Sequence, residues 1–513
     1  MEKFYITTSI AYTNAPPHIG FALESVQADV LARYNRLLGK DIFFLTGTDE
    51  HGAKIAKAAK EAGKEPKEFT DEISEMFKAL KGPLNLSNDD FIRTTDQKRH
   101  WPAVKKIWLK LKKNGDIYKK KYQGLYCVGC EAFITQKDLV DGKCKIHQKE
   151  PEKVEEENYF FKLSRYSKQI EKAIGSDRMK IIPETRKNEV LSFIKQGAED
   201  ISFSRPSKDL RWGIPVPDDE TQTIYVWADA LSNYISAIGY AEETKDFKKY
   251  WPADFHCLGK DILRFHSVIW PGMLLALGLE LPKTILVHGF INSGGQKMSK
   301  SLGNIIDPFE LVRKYGADVV RYYLLREIPP TEDGDFTYEK FEKRYNSDLA
   351  SGIGNLTARV LTMVENYCSS KVPKTDKNPE EHPLRVGKDI YNWKAAWKDL
   401  DKYMANCQFS EALASIWKFI GEADKYIEDN KPWQLAKEEK TEELNWALYG
   451  LLDALHQIAW QSYVFMPETA LKVAKALGAE KLLAKNPNYK DSFVNIEPGT
   501  KIKKGANLFP KIQ

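Results

Sequence analysis

Cysteine and long hydrophobic runs are what this chain has least of. Six cysteines in 513 residues are too few for the disulfide framework of a secreted protein. The longest apolar stretch, residues 268–279, contains Pro271 and Gly272 and is too short to cross a bilayer. The first residues lead into a strand-like segment and not a signal peptide. We therefore expect a cytoplasmic protein, or one from an organelle lumen if a targeting segment has been removed.

The formal net charge of the chain is also small, at +5. That value permits a nucleic-acid partner without predicting one. The lysine-rich stretch 105–121 has eight lysines and one acid, Asp116. Such a stretch is more often a solvated helix face than an RNA-binding surface, and the sequence leaves both open. A content of 42% hydrophobic and 29% charged residues is typical of a globular protein of about three packed units.

Strand and helix patterns alternate at the start of the chain. Residues 4–6 and 42–45 are strand-like. Between them, apolar residues recur at helical spacing over residues 23–38, and Gly39 is placed to end the helix. This order predicts a parallel βαβ unit. A further buried strand is expected at residues 284–287.

The remainder of the chain is predicted to be an insertion and a helical bundle. Short mixed elements between residues 117 and 219 indicate the insertion. Apolar residues every three or four positions predict long helices at 356–367, 409–427 and 443–464. The fold class is therefore α/β, a Rossmann-type parallel sheet with an inserted domain, followed by an all-α domain. The predicted segments are 1–116 and 220–335 for the α/β domain, 117–219 for the insertion and 336–513 for the bundle.

One candidate motif, Pro17-His18-Ile19-Gly20-Phe21, lies between the first strand and the first helix. Nucleotides bind at the carboxyl ends of parallel strands, with phosphates near a helix N-terminus. Gly20 would let the chain approach a nucleotide closely, and His18 could donate a hydrogen bond to phosphate. The alternative is that His18 is only a helix cap or a core residue.

A second motif, Lys297-Met298-Ser299-Lys300-Ser301, follows a loop that contains two glycines. Two lysines three positions apart on such a loop can fold over a triphosphate and offset the charge on a leaving pyrophosphate. The alternative for an arbitrary lysine pair is an exposed basic loop.

Together these motifs resemble the HIGH and KMSKS signatures of class I aminoacyl-tRNA synthetases. The second matches at all five positions. The first differs at its fourth position, where Phe21 cannot donate a hydrogen bond to phosphate. Segments 10–12, 47–52, 226–230 and 259–266 are similar to methionyl-tRNA synthetases in particular. The resemblance covers essentially the whole chain and implies an ATP-dependent ligase that joins methionine to tRNA, for initiation and elongation of translation.

The resemblance implies roles for individual residues of an active site. Asp49 would pair with the methionine ammonium, as a carboxylate suits a cation. The thioether pocket, where aromatic rings pack well against sulfur, would be lined by Ile10, Tyr12, Trp227, Tyr234 and His266. The ATP-binding residues would be His18, Gly20, Gly259, Asp261 and Lys300, and the catalytic ones His18, Gly20, Lys297 and Lys300. Without the resemblance, ordinary burial would make Trp227 and Tyr234 core aromatics.

A zinc site is predicted inside the insertion. Cys127 and Cys130 form one pair, and Cys144 and His147 form a second pair thirteen residues later. Three thiolates and one imidazole fit a closed tetrahedral Zn²⁺ site, which is structural because no position stays open. It resembles the zinc knuckle in the connective domain of the family, which helps to position the tRNA acceptor end. The other cysteines are expected to be buried small apolar residues.

An RNA-reading site is predicted in the helical domain. Asn355 and Arg359 lie four positions apart and share one helix face. Trp433 could stack on a splayed base, and its alternative is a core anchor at a helix start. These residues resemble the family's anticodon-binding elements, and the implied anticodon is CAU.

The implied chemistry needs no protein nucleophile. The methionine carboxylate attacks the α-phosphate of ATP, and catalysis comes from positioning and charge stabilisation. Magnesium should accompany ATP. The expected partners are ATP, L-methionine and tRNA(Met), with no membrane. Some family members carry a further dimerising domain beyond the point where this sequence ends, so we expect a monomer.

Two other functions stay open. Synthetases for leucine, isoleucine or valine usually insert a large editing domain between the signatures, for which residues 18–297 leave little room, and a cysteine enzyme would place zinc in its amino-acid pocket. A catalytically silent RNA-binding paralogue is kept open by Phe21 and opposed by the intact Lys297–Ser301 motif. Amino-acid-dependent pyrophosphate exchange separates these possibilities.

Overall fold

The computed structural model describes residues 1–127, 132–134, 136, 139–145, 148–298, 303–484 and 487–512. The strands are β1 (Lys3–Tyr12), β2 (Asp41–Asp49), β3 (Asp90–Arg93), β4 (Ile117–Cys127), β5 (Ala132–Ile134), β6 (Leu139–Val140), β7 (Lys143–Cys144), β8 (Glu152–Phe161), β9 (Lys180–Ile182), β10 (Ile201–Ser202), β11 (Ser204–Pro206), β12 (Pro215–Val216), β13 (Asp219–Ile224), β14 (Phe255–Gly259), β15 (Thr284–His288), β16 (Ile291–Ser293), β17 (Gln296–Lys297) and β18 (Gly334–Phe336).

The α-helices are α1 (Ile19–Leu37), α2 (Ala53–Glu61), α3 (Pro66–Ala79), α4 (His100–Lys113), α5 (Ser167–Gly175), α6 (Glu184–Lys195), α7 (Val226–Ala230), α8 (Asn233–Ser236), α9 (Lys245–Tyr250), α10 (Trp270–Leu277), α11 (Pro308–Tyr315), α12 (Ala317–Arg326), α13 (Tyr338–Arg344), α14 (Asn355–Cys368), α15 (Pro383–Val386), α16 (Trp393–Ala405), α17 (Phe409–Asn430), α18 (Pro432–Lys437), α19 (Thr441–Ser462) and α20 (Pro467–Leu477). Phe265–Ile269 and Tyr345–Gly354 are π-helical, and 3₁₀ turns occur at Leu163–Tyr166, Lys260–Ile262, Pro379–Glu381, Glu480–Leu483 and Tyr489–Phe493. None of the helices in these described ranges is long and apolar enough to cross a membrane.

A six-stranded sheet forms the centre of the α/β domain, in the order β3-β2-β1-β14-β15-β9. Every neighbouring pair is parallel. Most of β1, including Tyr5 and Ile6, is buried, because helices cover both faces of a parallel sheet. Gly39 has φ +82° and closes α1, as its position predicted. The predicted parallel α/β unit is confirmed, and β1 and β2 run several residues beyond their apolar cores.

The predicted insertion forms smaller antiparallel sheets. The strands β10, β8, β4 and β5 make one sheet, in which Ile117 to Tyr126 pair along β8. A second sheet has the order β11-β13-β12. One part of this segment leaves the insertion, because β9 pairs in parallel with β15 at the edge of the central sheet. The boundaries 117–219 therefore remain a prediction about the domain as a whole.

The C-terminal part is a helical bundle, as the three-to-four spacing predicted. One apolar core continues from α1 and the central sheet into α14, α16, α17 and α19. A buried arginine also joins these parts. Arg321 on α12 pairs with Asp29 on α1 at 2.8 Å, and it donates to the carbonyl oxygens of Val464 and Phe465 at 3.0 and 2.8 Å. The helix that begins at the first motif is thus fixed against the helical domain.

Candidate functional site

His18 caps the helix that carries the first motif. Its Nδ1 accepts a hydrogen bond from the Gly20 amide at 3.1 Å. A Cβ atom on Gly20 would lie 2.8 Å from His18 Cε1, so only glycine leaves room for this cap. Restricted solvation lowers the pKa of His18, and Asp261 opposes that shift. In the neutral ring Nδ1 is the acceptor, so Nε2 carries the proton and can donate to a ligand. Cap and phosphate donor are therefore compatible roles.

Phe21, the departure from the signature, packs into apolar surroundings. Its ring meets Phe77 on α3 edge-on, with centroids 4.9 Å apart, and it lies against the core that contains α1. An aromatic ring there contributes packing and not a hydrogen bond.

A backbone hydrogen bond joins the first motif to the segment that follows the second motif. The amide of Ile19, the first residue of α1, donates to the carbonyl oxygen of Ile306 at 3.1 Å. Lys297 lies at the end of the β16–β17 hairpin, where Gly294 and Gly295 have φ +60° and +76°. The Gly295 amide donates to Asp335 on β18 at 2.7 Å, which anchors the turn. Ser299, Lys300 and Ser301 lie outside the described residues.

The predicted ribose-binding residue, Asp261, stands in the turn that follows β14. Gly259 ends that strand, and a Cβ atom on it would lie 2.8 Å from Asp261 Oδ1. The neighbouring Lys260 pairs with Asp333 at 2.6 Å. Asp261 is exposed and contributes to the field at His18. The segments that follow β1 and β14 therefore lie close together at the carboxyl edge of the sheet.

The residues of the predicted methionine pocket come from the ends of β1 and β2 and from three later helical segments. Tyr12 and Asp49 are partners in the register of β1 and β2. Asp49 is buried, while Tyr12 and Ile10 are half-buried. Tyr12 and Trp227 pack against a common apolar cluster. Trp227 stacks on Phe265 with centroids 3.4 Å apart and an interplanar angle of 10°.

Tyr234 and His266 form a buried hydrogen-bonded pair behind this stack. His266 Nδ1 lies 3.0 Å from the Ile262 carbonyl oxygen, so it donates there. Burial lowers the pKa of His266 to about 4. The ring is therefore neutral at pH 7, and its Nε2 accepts from the Tyr234 hydroxyl at 2.7 Å. The pair presents ring surfaces and no charge, which suits an uncharged side chain.

Two of the four predicted zinc ligands lie in one small cluster. Cys127 and Cys144 are buried beside Ile134. Cys130 and His147 lie outside the described residues. Over the described ranges, no group of three or more possible metal ligands is found, and two of the predicted four are beyond that search. The neighbourhood of Cys127 and Cys144 fits the predicted donor set. Cys257 and Cys407 are buried, as predicted, and Cys368 is half-buried.

The predicted RNA-reading residues lie on helices of the bundle and are at least partly exposed. Asn355 begins α14 and is exposed. Arg359, one turn later, pairs with Asp424 and Glu428 on α17 at 3.3 and 2.5 Å. Trp433 at the start of α18 is 42% exposed. The alternative of a core anchor for Trp433 is therefore wrong, and its ring is accessible.

Two known protein families match most of the chain. The family model "tRNA synthetases class I (M)" matches residues 4–138 and 134–361. The model "Anticodon-binding domain of tRNA ligase" matches residues 391–508. A methionine--tRNA ligase of Caldanaerobacter subterraneus subsp. tengcongensis is 47% identical over 515 residues, covering 100% of this chain and 79% of the relative. The chain belongs to the methionyl-tRNA synthetase family.

Further methionyl-tRNA synthetases are similar in sequence or fold. The methionine--tRNA ligase of Thermotoga maritima is 44% identical, covering 99% of this chain and 80% of the relative. The Mycobacterium tuberculosis methionyl-tRNA synthetase in complex with methionyl-adenylate has a TM-score of 0.93 at 38% identity, covering 99% of this chain and 100% of that one. Its apo form has a TM-score of 0.87 at 35% identity, with coverage of 100% and 99%.

The sequence patterns did not predict one buried ion pair of this methionyl-tRNA synthetase family member, between Glu24 and His288. Glu24 Oε1 accepts from both the amide and the hydroxyl of Ser9 at 2.7 Å, and its Oε2 lies 2.9 Å from His288 Nε2. Burial alone would lower the pKa of His288, but Glu24 raises it. The available signal was a glutamate between Leu23 and Val26 on the apolar face of α1. A charge at such a position requires a buried partner.

Proposed function

We propose that this chain is a methionine--tRNA ligase, which activates methionine with ATP and transfers it to tRNA(Met). The observation that carries the proposal is the hydrogen bond from Ile19 to Ile306. It joins the first signature to the segment that follows the second signature, at the carboxyl edge of a parallel sheet, where nucleotides bind. Membership of the family supplies the choice of methionine over other amino acids.

The first step is an in-line substitution at phosphorus. A carboxylate oxygen of methionine bonds to the α-phosphorus of ATP while the bond to the bridging oxygen breaks, and pyrophosphate leaves. The Nε2 of His18 donates to a phosphate oxygen, since its Nδ1 is held by Gly20. Lys297 and Lys300 offset the charge that develops on the leaving group. Magnesium would accompany ATP and would supply further charge neutralisation on the phosphates.

The second step transfers the methionyl group. A terminal ribose hydroxyl of tRNA attacks the activated carbonyl carbon, the bond to phosphate breaks, and AMP leaves. Asp49 holds the methionine ammonium by charge-assisted hydrogen bonds. The Trp227–Phe265 stack and the neutral Tyr234–His266 pair enclose the thioether chain, where aromatic faces attract the polarizable sulfur.

We assign the tRNA contacts to two parts of the chain, the insertion and the helical bundle. A structural Zn²⁺ would be held by Cys127, Cys130, Cys144 and His147 and would brace the insertion that receives the acceptor end. Anticodon recognition would use Asn355, Arg359 and Trp433, and the anticodon would be CAU. The chain is proposed to act as a monomer in the cytoplasm. Zinc content of the purified protein and its mass in solution test the first and last of these assignments.

The decisive experiment is ATP–pyrophosphate exchange with each amino acid separately and no tRNA. Exchange with methionine alone supports the proposal, and Lys300→Ala should abolish most of it. Exchange driven by leucine or cysteine would contradict the pocket assignment. A folded, zinc-loaded protein that exchanges with no amino acid but binds tRNA would favour the RNA-binding paralogue.

The anticodon assignment has a separate test. Trp433→Ala should raise the KM for tRNA(Met) in aminoacylation and leave tRNA-independent exchange unchanged, because base stacking contributes about 1–3 kcal/mol per base. Trp446→Phe, in the same bundle, is a control that keeps an aromatic ring. Equal effects of both variants on tRNA would contradict the assignment.

A further inference from the structure

Asp229 is a fully buried carboxylate held between two imidazole rings. Its Oδ2 lies 2.6 Å from His51 Nδ1, and its Oδ1 lies 2.7 Å from His100 Nε2. The exposed fraction is 0% for Asp229, 0% for His100 and 2% for His51. Burial alone would raise the pKa of Asp229, but the two histidines keep it below its ordinary value. The carboxylate therefore stays charged and accepts a hydrogen bond on each oxygen.

This carboxylate connects three separate segments of the chain. His51 follows β2 and stands two residues after Asp49. His100 is the first residue of α4, and its Nδ1 lies 2.8 Å from Ser236 Oγ on α8. Asp229 itself lies on α7, which comes much later in the sequence. This side chain is therefore one of the links between the two halves of the α/β domain.

Trp212 also holds the turn that contains His51. The ring N–H of Trp212 donates to the Glu50 carbonyl oxygen, and the backbone carbonyl oxygen of Trp212 accepts from the Gly52 amide at 3.1 Å. The His51 ring meets Trp212 edge-on at 5.5 Å. Movement of His51 is therefore possible only together with the backbone that carries Asp49.

Asp229 and Trp227 stand on opposite sides of α7. Two positions in an α-helix differ by about 200° in direction, so the carboxylate points into the protein while Trp227 packs against the same apolar cluster as Tyr12 and stacks on Phe265. Any shift of Asp229 relative to His51 would change the separation of Trp227 from Asp49. These are the two sides of the proposed methionine pocket.

We propose that Asp229, held by His51 and His100, is a positioning residue that sets the distance between Trp227 and Asp49 and so the affinity for methionine. This inference rests on the proposed function. The three side chains do not touch the substrate, and their effect passes through the two residues that do.

The test uses the full-length protein and paired substitutions of His51. His51→Asn keeps a side-chain N–H close to the position of Nδ1, and His51→Leu removes it. A changed separation of Trp227 from Asp49 weakens the contacts to methionine, and each loss of about 1.4 kcal/mol in binding corresponds to a tenfold change in affinity. His51→Leu and Asp229→Asn should therefore raise the KM for methionine about tenfold, with the KM for ATP changed less than about twofold. His51→Asn should recover most of the loss.

Asp254→Asn is the matched control for burial and charge. Asp254 is also buried, and it accepts from the Tyr5 amide at 2.8 Å and from Lys3 at 3.0 Å, at the opposite, amino end of β14. This variant should lower thermal stability without raising the KM for methionine. Direct methionine binding by calorimetry gives the same comparison independently of catalysis.

Three outcomes separate the possibilities. A selective rise in the KM for methionine with rescue by His51→Asn supports the inference. Equal loss of stability and kcat in the Asp229 and Asp254 variants, with the KM for methionine unchanged, would overturn it. If the unmodified protein lacks methionine-dependent exchange, the proposed function fails first, and calorimetric binding of methionine decides whether the pocket exists.

Discussion

The amide of Ile19 and the carbonyl oxygen of Ile306 are 3.1 Å apart, although 287 positions separate them in the sequence. This bond lies where α1 begins and fixes the segment that follows the second motif. Because the backbone and not a side chain makes the contact, it does not depend on the identity of either side chain, provided that residue 19 is not proline. The start of α1 is thus held against that segment by the fold itself.

Gly20→Ala should reduce methionine-dependent exchange strongly. The new Cβ would lie 2.8 Å from His18 Cε1, so the ring must leave its capping position and its Nε2 loses its direction. Misplaced catalytic groups cost about 100-fold in rate. The measurement is kcat for exchange. Gly421→Ala on α17 is the matched control, because nothing lies within 4 Å of its new Cβ and it should stabilise the helix by about 1 kcal/mol.

Phe21→His restores the usual signature and should still not raise activity. The position points at Phe77, with centroids 4.9 Å apart, so an imidazole there loses an aromatic pair worth about 0.5–1.5 kcal/mol. Urea unfolding should register that loss, while kcat for exchange stays level or falls. A higher kcat at unchanged stability would contradict this orientation. Phe21→Leu keeps the apolar volume and serves as the control.

Stability should fall as pH decreases from about 6.5 to about 4. Burial lowers the pKa of His266, His382 and His456 to about 4 in each case. Within that window the unfolded chain binds protons at these histidines and the folded chain does not. Each histidine therefore lowers the free energy of unfolding by about 1.4 kcal/mol per pH unit. Burial raises the pKa of Asp453 to about 6 and also raises that of Asp89, Asp318, Asp401 and Asp424, which acts in the opposite direction. Burial lowers the pKa of His256 well below its ordinary value, which acts together with the three histidines.

Urea unfolding at about pH 7 and about pH 5 measures this difference. The variant His456→Gln removes one of the three histidines. It should therefore weaken the dependence of the free energy of unfolding on pH without reversing it. Stability that rises towards pH 5 would contradict the assignment of neutral, buried imidazoles.

Arg321→Met should destabilise the protein severely. The guanidinium is fully buried and pairs with Asp29 at 2.8 Å, and removing one partner of a buried ion pair costs about 3–5 kcal/mol. Chemical denaturation gives the free energy of unfolding. Lys57→Met is the control, because Lys57 and Glu61 are exposed and 4.0 Å apart, where a pair contributes about 0–1 kcal/mol. Similar losses in both variants would count against the buried link.

Local sequence patterns determined a large part of this protein. The spacing of apolar residues and the capping residues predicted the parallel unit and the helical bundle, and Gly39 predicted the end of α1. These patterns are readable because they depend only on residues a few positions apart. The two motifs were also visible in the sequence, since each is a short run with its own chemistry. Asn355 and Arg359 could be placed on one face from their spacing alone.

Only the tertiary structure decided which distant groups meet. The sequence does not reveal that Glu24 meets His288, that Asp229 stands between His51 and His100, or that β9 leaves the insertion to join the central sheet. It also left open whether Phe21 faces a nucleotide or the core, and whether Trp433 is buried. These outcomes depend on pairings between residues far apart in the chain. Their energies come from desolvation and packing around each side chain, which no local pattern records.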